Sequence, residues 1–217
     1  MKFTITMAIA AVYGFSVLPM QLAKNDGEAA AIAADIGLPV VMKIVSPQII
    51  HKSDAGGVVV GLKTHEEVKA AFNQIVDRAV GYNPSAVIEG VLVQKMAPAG
   101  TETILGMNRY PIFGPLVMFG LGGIYVELFE DVVFRLAPLD RDEARRMIHE
   151  IRGFRLFEGF RGRPKADLEV IEKSLVSLSD MVLNHPQISE LDINPLMLHE
   201  AGQGATVADC RIIIKHV

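Results

Sequence analysis

Only one cysteine, Cys210, occurs in the 217 residues. A single thiol excludes a disulfide framework within the chain, and a reducing cytoplasm is the simplest compartment for such a sequence. A basic surplus is also missing. The formal net charge is −4, which argues against nucleic acid as a partner. Nor is there a long unbroken apolar run. The stretch 3–23 carries no charged side chain, and Lys2 before it gives it a faint look of a signal peptide. Gly14, Ser16, Pro19 and Gln21 interrupt that stretch, however, and Thr4, Thr6 and Tyr13 are polar. It is too broken for a membrane span. A soluble chain is the favoured reading, with a helix over 4–13, a turn at Gly14 and a strand over 15–19. Internal repeats and low-complexity segments are absent too.

What is present is a large apolar fraction, 50% of the residues, enough for a sizeable core in one large domain or two small lobes. Caps and periodicity mark the helices. Asp26 can cap a helix that runs to Asp35 and stops at Gly37. Thr64 with Glu67 has the spacing of a capping box. Behind it Val68, Ala71, Phe72, Ile75 and Ala79 form a stripe of period 3.6, ended by Gly81. Asp140 with Glu143 repeats the box before Ala144, Met147, Ile148 and Ile151, ended by Gly153. The longest helix starts near Asp167, turns Leu168, Ile171, Leu175, Leu178 and Val182 inward, and ends before Pro186. Strands are expected over 39–45, 57–63, 86–96, 101–108, 116–119, 132–136, 188–198 and 205–214. Several follow one another with no helix between them, which points to an α+β fold with antiparallel pairing. The turn KMAPAGTE suggests a division into lobes of residues 1–92 and 93–217. The Arg- and Gly-rich stretch 152–167 is expected to be a mobile loop.

Four places could carry chemistry. Lys43 stands in the middle of the apolar run VVMKIV, either on the solvent face of an edge strand or against an anion such as phosphate. The following turn, SPQIIHKSDAGGV, holds His51, Lys52, Gly56 and Gly57. Its glycines would let backbone N–H groups approach an anion, and Lys52 adds a charge. His51 could be a general base or a nitrogen nucleophile that carries a phosphoryl group. The plain alternative is a solvated hairpin. Next, in VLVQKMAPAGTE, a strand runs into a tight turn at Gln94, Lys95 and Met96. Such a turn could offer backbone amide and carbonyl groups, and the Gln94 side chain, to a flat heterocycle. Glu102 could accept from ribose hydroxyls, although on spacing alone this is a hairpin. Last, strand periodicity puts Glu190, Asp192 and Asn194 on one face, and Asp209 on the next strand could pair close to them. Such oxygen donors, completed by phosphate and water, suit Mg2+. Weaker candidates are FGLGGIYVE (119–127), a possible wrap for a phosphate or acyl group, and Arg135, either a phosphate clamp or an edge-strand arginine. The other histidines receive no role, and Cys210 is read as core.

Four long blocks occur in a familiar order: GLPVVMKIVSPQIIHKSDAGGVVVGL, EGVLVQKMAPAGTETILG, FGPLVMFGLGGIYVELFEDVVFRLAPL and ELDINPL with VADCRI. Together, over about residues 14–214, the chain resembles the ATP-grasp β subunit of ADP-forming acetyl-CoA synthetase, an NDP-forming acyl-CoA synthetase. The resemblance implies an ATP-grasp fold, with two α+β lobes whose mixed or antiparallel sheets sandwich the nucleotide. It implies that Lys43 contacts nucleotide phosphates, that Gln94, Lys95 and Met96 form the adenine hinge, and that Glu102 is the ribose acid. Asn194 and Asp209, with Asp192 beside them, would be the Mg2+ ligands. His51 would take a phosphoryl group from a phosphohistidine of an α subunit and pass it to ADP, with Lys52, Gly56, Gly57 and Arg135 balancing the charge. The exposed turn would then be a mobile phosphoryl carrier.

The activity implied is that of an acetate–CoA ligase (ADP-forming): acyl-CoA + ADP + phosphate ⇌ carboxylate + CoA + ATP. ATP or ADP and Mg2+ would be the cofactors. No Gly-rich dinucleotide fingerprint precedes a helix, so a separate CoA-binding α subunit is expected as partner, in an assembly of two α and two β subunits. Neither nucleic acid nor membrane is expected. Two alternatives stay open. One is the ATP-grasp domain of a protein lysine acetyltransferase, and the other is an ATP-grasp carboxylate–amine ligase, which needs no histidine carrier.

Overall fold

Asn25, not Asp26, opens the first well-capped helix. Its side chain accepts from the backbone N of Glu28 at 2.8 Å, and the Glu28 carboxylate reaches back to Lys24 N at 2.8 Å. Glu28 is three residues beyond Asn25, the spacing that a reciprocal cap needs, so Asp26 becomes a first-turn residue. In the computed structural model, which describes residues 2–123, 130–159, 162 and 164–215, this helix is α2 (Asp26–Ile36). Before it come α1 (Lys2–Val12) and β1 (Met20–Ala23). The strand expected over 15–19 is only a lone bridge between Val17 and Val207.

Next come β2 (Val40–Val45), β3 (Val58–Leu62), α3 (His65–Tyr82) and β4 (Gly90–Lys95). The capping box of Thr64 and Glu67 forms in full, and α3 buries Val68, Ala71, Phe72, Ile75 and Ala79. The strands make one antiparallel sheet in the order β1-β4-β2-β3. Val40, Met42 and Ile44 of β2 and Val91 and Val93 of β4 share a core with α2 and α3. Val41, Lys43, Leu92 and Gln94 therefore stand on the opposite face.

The rest of the chain forms β5 (Thr101–Tyr110), β6 (Gly114–Leu121), β7 (Val132–Leu136), α4 (Arg141–Glu150), a 3-10 turn (Arg152–Leu156), α5 (Leu168–Asn184), β8 (Ile188–Leu198), β9 (Ala205–Val207) and β10 (Cys210–Ile214). The sheet order is β10-β8-β5-β6-β7, with β9 also on β8, and every pairing is antiparallel. One face of the sheet, with Leu105, Met107, Val117, Phe119, Leu191 and Ile193 buried, packs beneath α4 and α5. Arg109 fixes that side by donating to the carbonyls of Val182 (2.5 Å) and Ile188 (2.8 Å).

The chain divides into a compact unit of Leu18–Met96 and a second of Met1–Val17 with Ala97–Val217. That differs from the expected 1–92 and 93–217. β4 stays paired with β1 and β2 through its last residues, and α1 packs on β10. The stretch expected to be a mobile loop is anchored where it is described. The buried Asp131 carboxylate accepts from Arg152 N and Gly153 N at 2.8 and 2.7 Å, and Phe157 is fully buried. Among the described residues no helix is long and apolar enough to cross a membrane.

Candidate functional site

Lys43 is not on an edge. β2 lies between β4 and β3, and the residue is only 7% exposed. An ammonium so placed is stabilised by negative charge nearby. In the adjacent row of the same sheet face, Val41 pairs with Gln94. Gln94 is 1% exposed, and neither its Nε2 nor its Oε1 has a hydrogen-bond partner among the described residues. A buried amide left unpaired costs about 1–3 kcal/mol. One donor and one acceptor side by side in a dry place match the edge of a nucleobase, so this face fits a nucleotide.

The expected hinge is partly spent. Lys95 N donates to Pro19 O at 2.9 Å and Met96 N to Pro39 O at 3.1 Å. The Lys95 side chain clips the end of α2, donating to the carbonyls of Gly37 and Leu38 at 2.8 and 2.9 Å. The backbone N–H groups at Lys95 and Met96 are therefore not on offer to a heterocycle in this conformation.

The turn between β2 and β3 also differs from expectation. Gly56 N donates to Ser53 O and Gly57 N to Lys52 O, at 2.9 and 2.8 Å, so neither amide points to an anion. The glycines serve space instead. Gly56 has φ +59°, and a Cβ there would sit 2.9 Å from Cδ of Arg78; a Cβ on Gly57 would strike Ile44. Ile49 and Ala55 are buried in the core of the unit and hold both shoulders of the turn. Only the short crest between them, with His51 exposed and Lys52 half-buried, stands out.

In the second unit, register builds the acidic cluster. Thr103 pairs with Leu196 and Leu105 with Ile193, so Asn194 and Pro195 together face the single residue Ile104. This bulge re-aims β8. Opposite it, the strand expected over 205–214 breaks between β9 and β10. Asn194 N donates to Asp209 O at 3.1 Å, and Ala208 N to Pro195 O at 3.0 Å. Asp192, Asn194 and Asp209 are thus brought together, while Glu190 points to solvent. Burial pushes the Asp192 carboxyl up from the usual range; Arg211 opposes this and the Asp209 charge adds to it. Burial, with the same two carboxylates, pushes the Cys210 thiol up to about 12, as befits an inert core residue. Among the described residues no three His, Cys, Asp or Glu side chains form a metal cluster. Two carboxylates and an amide oxygen do suit a Mg2+ ion that draws its other ligands from phosphate and water.

Glu102 is exposed on β5, and its carbonyl accepts from Gly122 N at 2.8 Å. A Cβ on Gly122 or Gly123 would run into Glu102, which explains why glycines follow β6. The rest of FGLGGIYVE, from Ile124 to Glu127, lies outside the described residues. Arg135 lies on the edge strand β7, as the plainer of its two readings had it, and not as a phosphate clamp. It pairs with Val117 on the helix-covered face and binds Glu143 and Glu150 of α4, both at 2.5 Å. The hydrogen bond to Glu143 leads the influences that raise its pKa further. The Asp192 face is the opposite one, so Arg135 is a strand-to-helix tie and no phosphate clamp in this structure. Sequence reading missed Arg78, whose exposed position on α3 carries no motif. The only signal was the left-handed glycine that it lies against.

Known proteins are similar to this chain in sequence and fold. A family model described as an ATP-grasp domain matches residues 3–214. The subunit beta of acetate–CoA ligase (ADP-forming) I from Pyrococcus furiosus is 45% identical over 206 residues, which is 95% of this chain and 88% of that subunit. Acetate–CoA ligase (ADP-forming) I of Archaeoglobus fulgidus is 44% identical over 208 residues, 96% of this chain but 30% of that longer protein. Among solved structures, acetyl-coenzyme A synthetase 1 of Candidatus Korarchaeum cryptofilum, in complex with coenzyme A, Ca-AMPCP and HgCl+, aligns with a TM-score of 0.93 at 44% identity, covering 98% of this chain and 92% of that one. The same enzyme with coenzyme A and Mg-AMPPCP, its phosphohistidine segment pointing towards the nucleotide binding site, aligns with a TM-score of 0.83 at 41% identity and the same coverage.

Proposed function

Because the chain belongs to the ATP-grasp family, with the β subunits of ADP-forming acetate–CoA ligases, we propose that it moves a phosphoryl group between His51 and ADP. The overall reaction would be acyl-CoA + ADP + phosphate ⇌ carboxylate + CoA + ATP, with acetate or another small acid as the carboxylate. The observation that carries this reading is the buried, unpartnered Gln94 amide in the row next to the buried Lys43.

The chemistry balances without a proton transfer. In the direction that uses ATP, the lone pair of the unprotonated His51 nitrogen forms the N–P bond. The bridging P–O bond breaks, and its electrons stay on the departing ADP oxygen. Lys43 holds phosphate oxygens, Gln94 takes the base edge, and Glu102 accepts from ribose hydroxyls. Asp192, Asn194 and Asp209 would hold Mg2+, which neutralises phosphate charge when bound. A neutral imidazole is required, so transfer falls as His51 is protonated at acid pH. The CoA and thioester steps fall to an α chain, in an assembly of two α and two β subunits in the cytoplasm. The longer Archaeoglobus fulgidus relative, most of which lies beyond the match, supports an α-type partner.

Incubation with γ-labelled ATP and Mg2+ tests this. Acid-labile, base-stable label is expected on the wild type and none on His51→Ala. If the chain stays unlabelled even with a CoA-binding partner, or turns over ATP fully as His51→Ala, the carrier reading fails and a carboxylate–amine ligase takes its place.

A further inference from the structure

In the crest that bears His51, the N–H groups of Gly56 and Gly57 are given to carbonyls within the turn and do not cradle an anion. A phosphoryl group on His51 brings about two negative charges, and side chains must balance them. Lys52 lies next to it in sequence. The second cation comes from outside the turn. Arg78 of α3 lies over Gly56, with Cδ 2.9 Å and both Nε and Nη1 3.7 Å from where a Cβ would be. Any side chain at position 56 would push the guanidinium off. Arg78 is exposed, and it makes no hydrogen bond or ion pair among the described residues. An arginine held against a turn by its stem, with its donors unused, is prepared for an acceptor that arrives later.

We infer that Arg78 binds the phosphoryl group carried on His51. This rests on the carrier reading above and adds the residue that receives the charge. The guanidinium fork suits two phosphate oxygens at once, which a lysine's single ammonium does not. The glycine at position 56 is then a requirement of the site: it keeps the crest low enough for Arg78 to reach across.

The test uses the full chain with γ-labelled ATP and Mg2+, comparing wild type, Arg78→Met, Arg78→Lys and His51→Asn. Labelling of Arg78→Met is expected to be roughly tenfold slower or more, the loss of one charged hydrogen-bonding group. Arg78→Lys should recover part of the rate, and His51→Asn should take no label. Melting temperatures should agree, since the side chain is at the surface. Wild-type labelling of Arg78→Met would overturn the inference and leave the carrier reading intact. If wild type takes no label from ATP even with a CoA-binding partner, the carrier reading is what has failed. His51 can then be phosphorylated chemically with phosphoramidate. A phosphorus NMR resonance that differs between wild type and Arg78→Met supports contact, and identical resonances with equal hydrolysis rates overturn it.

Discussion

The two units follow one plan, an antiparallel sheet with two helices on one face, yet the other face differs in sign. In Leu18–Met96 that face carries an ammonium and a neutral amide, Lys43 and Gln94, both buried. In the second unit it carries carboxylates, Glu102, Asp192 and Glu190, that are exposed or half-buried. The first face suits an anion and a heterocycle, and the second suits a cation. The units also differ in how they tolerate their polar groups. Buried groups depend wholly on a partner, whereas half-exposed carboxylates lean on water until a cation arrives.

The largest effect should come from the first face. Lys43→Met is expected to slow phosphoryl transfer about a thousandfold, since a fixed charge at a reacting phosphate is typically worth that much. Single-turnover labelling measures it, and a loss below tenfold would remove Lys43 from the phosphates. On the second face, Asp209→Asn should raise the Mg2+ concentration for half-maximal labelling by about 10–100-fold. Lys43→Met should leave that midpoint in place. If both variants shift it equally, the division of labour between the faces is wrong.

Gln94→Leu sharpens the contrast because two readouts should move in opposite directions. Removing a buried amide that has no partner should stabilise the ligand-free chain by about 1 kcal/mol. The same change should weaken ADP binding roughly tenfold, because a base edge loses its match. Urea unfolding and calorimetric titration report the two. A variant that is destabilised and binds ADP normally would mean that the amide serves the fold.

Much of this was legible in the sequence where one rule acts locally. The box of Thr64 and Glu67, the stripe of α3 and the alternation in β8 all formed as periodicity requires. The cap at Asn25 was legible as well, through Glu28 three residues on, but Asp26 is an equally good capper by type. The clamp reading of Arg135 failed, and its edge-strand reading held, because strand position alone does not say which face α4 will cover. Gly56 and Gly57 looked like an anion cradle, since a sequence shows that glycine frees the backbone but not what approaches it. Arg78 reaches the turn across tertiary space, and no local pattern could announce it. The bulge at Asn194 arises from unequal residue counts on paired strands, which only the register reveals.

The smallest expected effect is one of pH, and its sign differs between two acids of the second unit. Burial alone would raise the Glu172 carboxyl, but hydrogen bonds from Arg145 and Arg141, at 2.9 and 2.8 Å, outweigh it and hold it below the usual range. Its folded pKa is depressed, so its contribution is present above the unfolded value and is lost as pH falls through the folded one. Glu172→Gln should therefore cost about 1 kcal/mol at neutral pH, modest because both arginines are half-exposed, and nothing in strong acid. Asp192 has the opposite sign. Burial raises its folded pKa above the unfolded one, so its ionised form is a burden at neutral pH that lifts as pH falls through the folded value. Asp192→Asn should thus slightly stabilise the metal-free chain at neutral pH and leave acid stability unchanged. Mg2+ should cancel that gain in the wild type by stabilising the carboxylate. Urea midpoints across pH, with and without Mg2+, read all of this. Parallel profiles for the two variants would mean that Asp192 is an ordinary solvated acid and no cation waits for it.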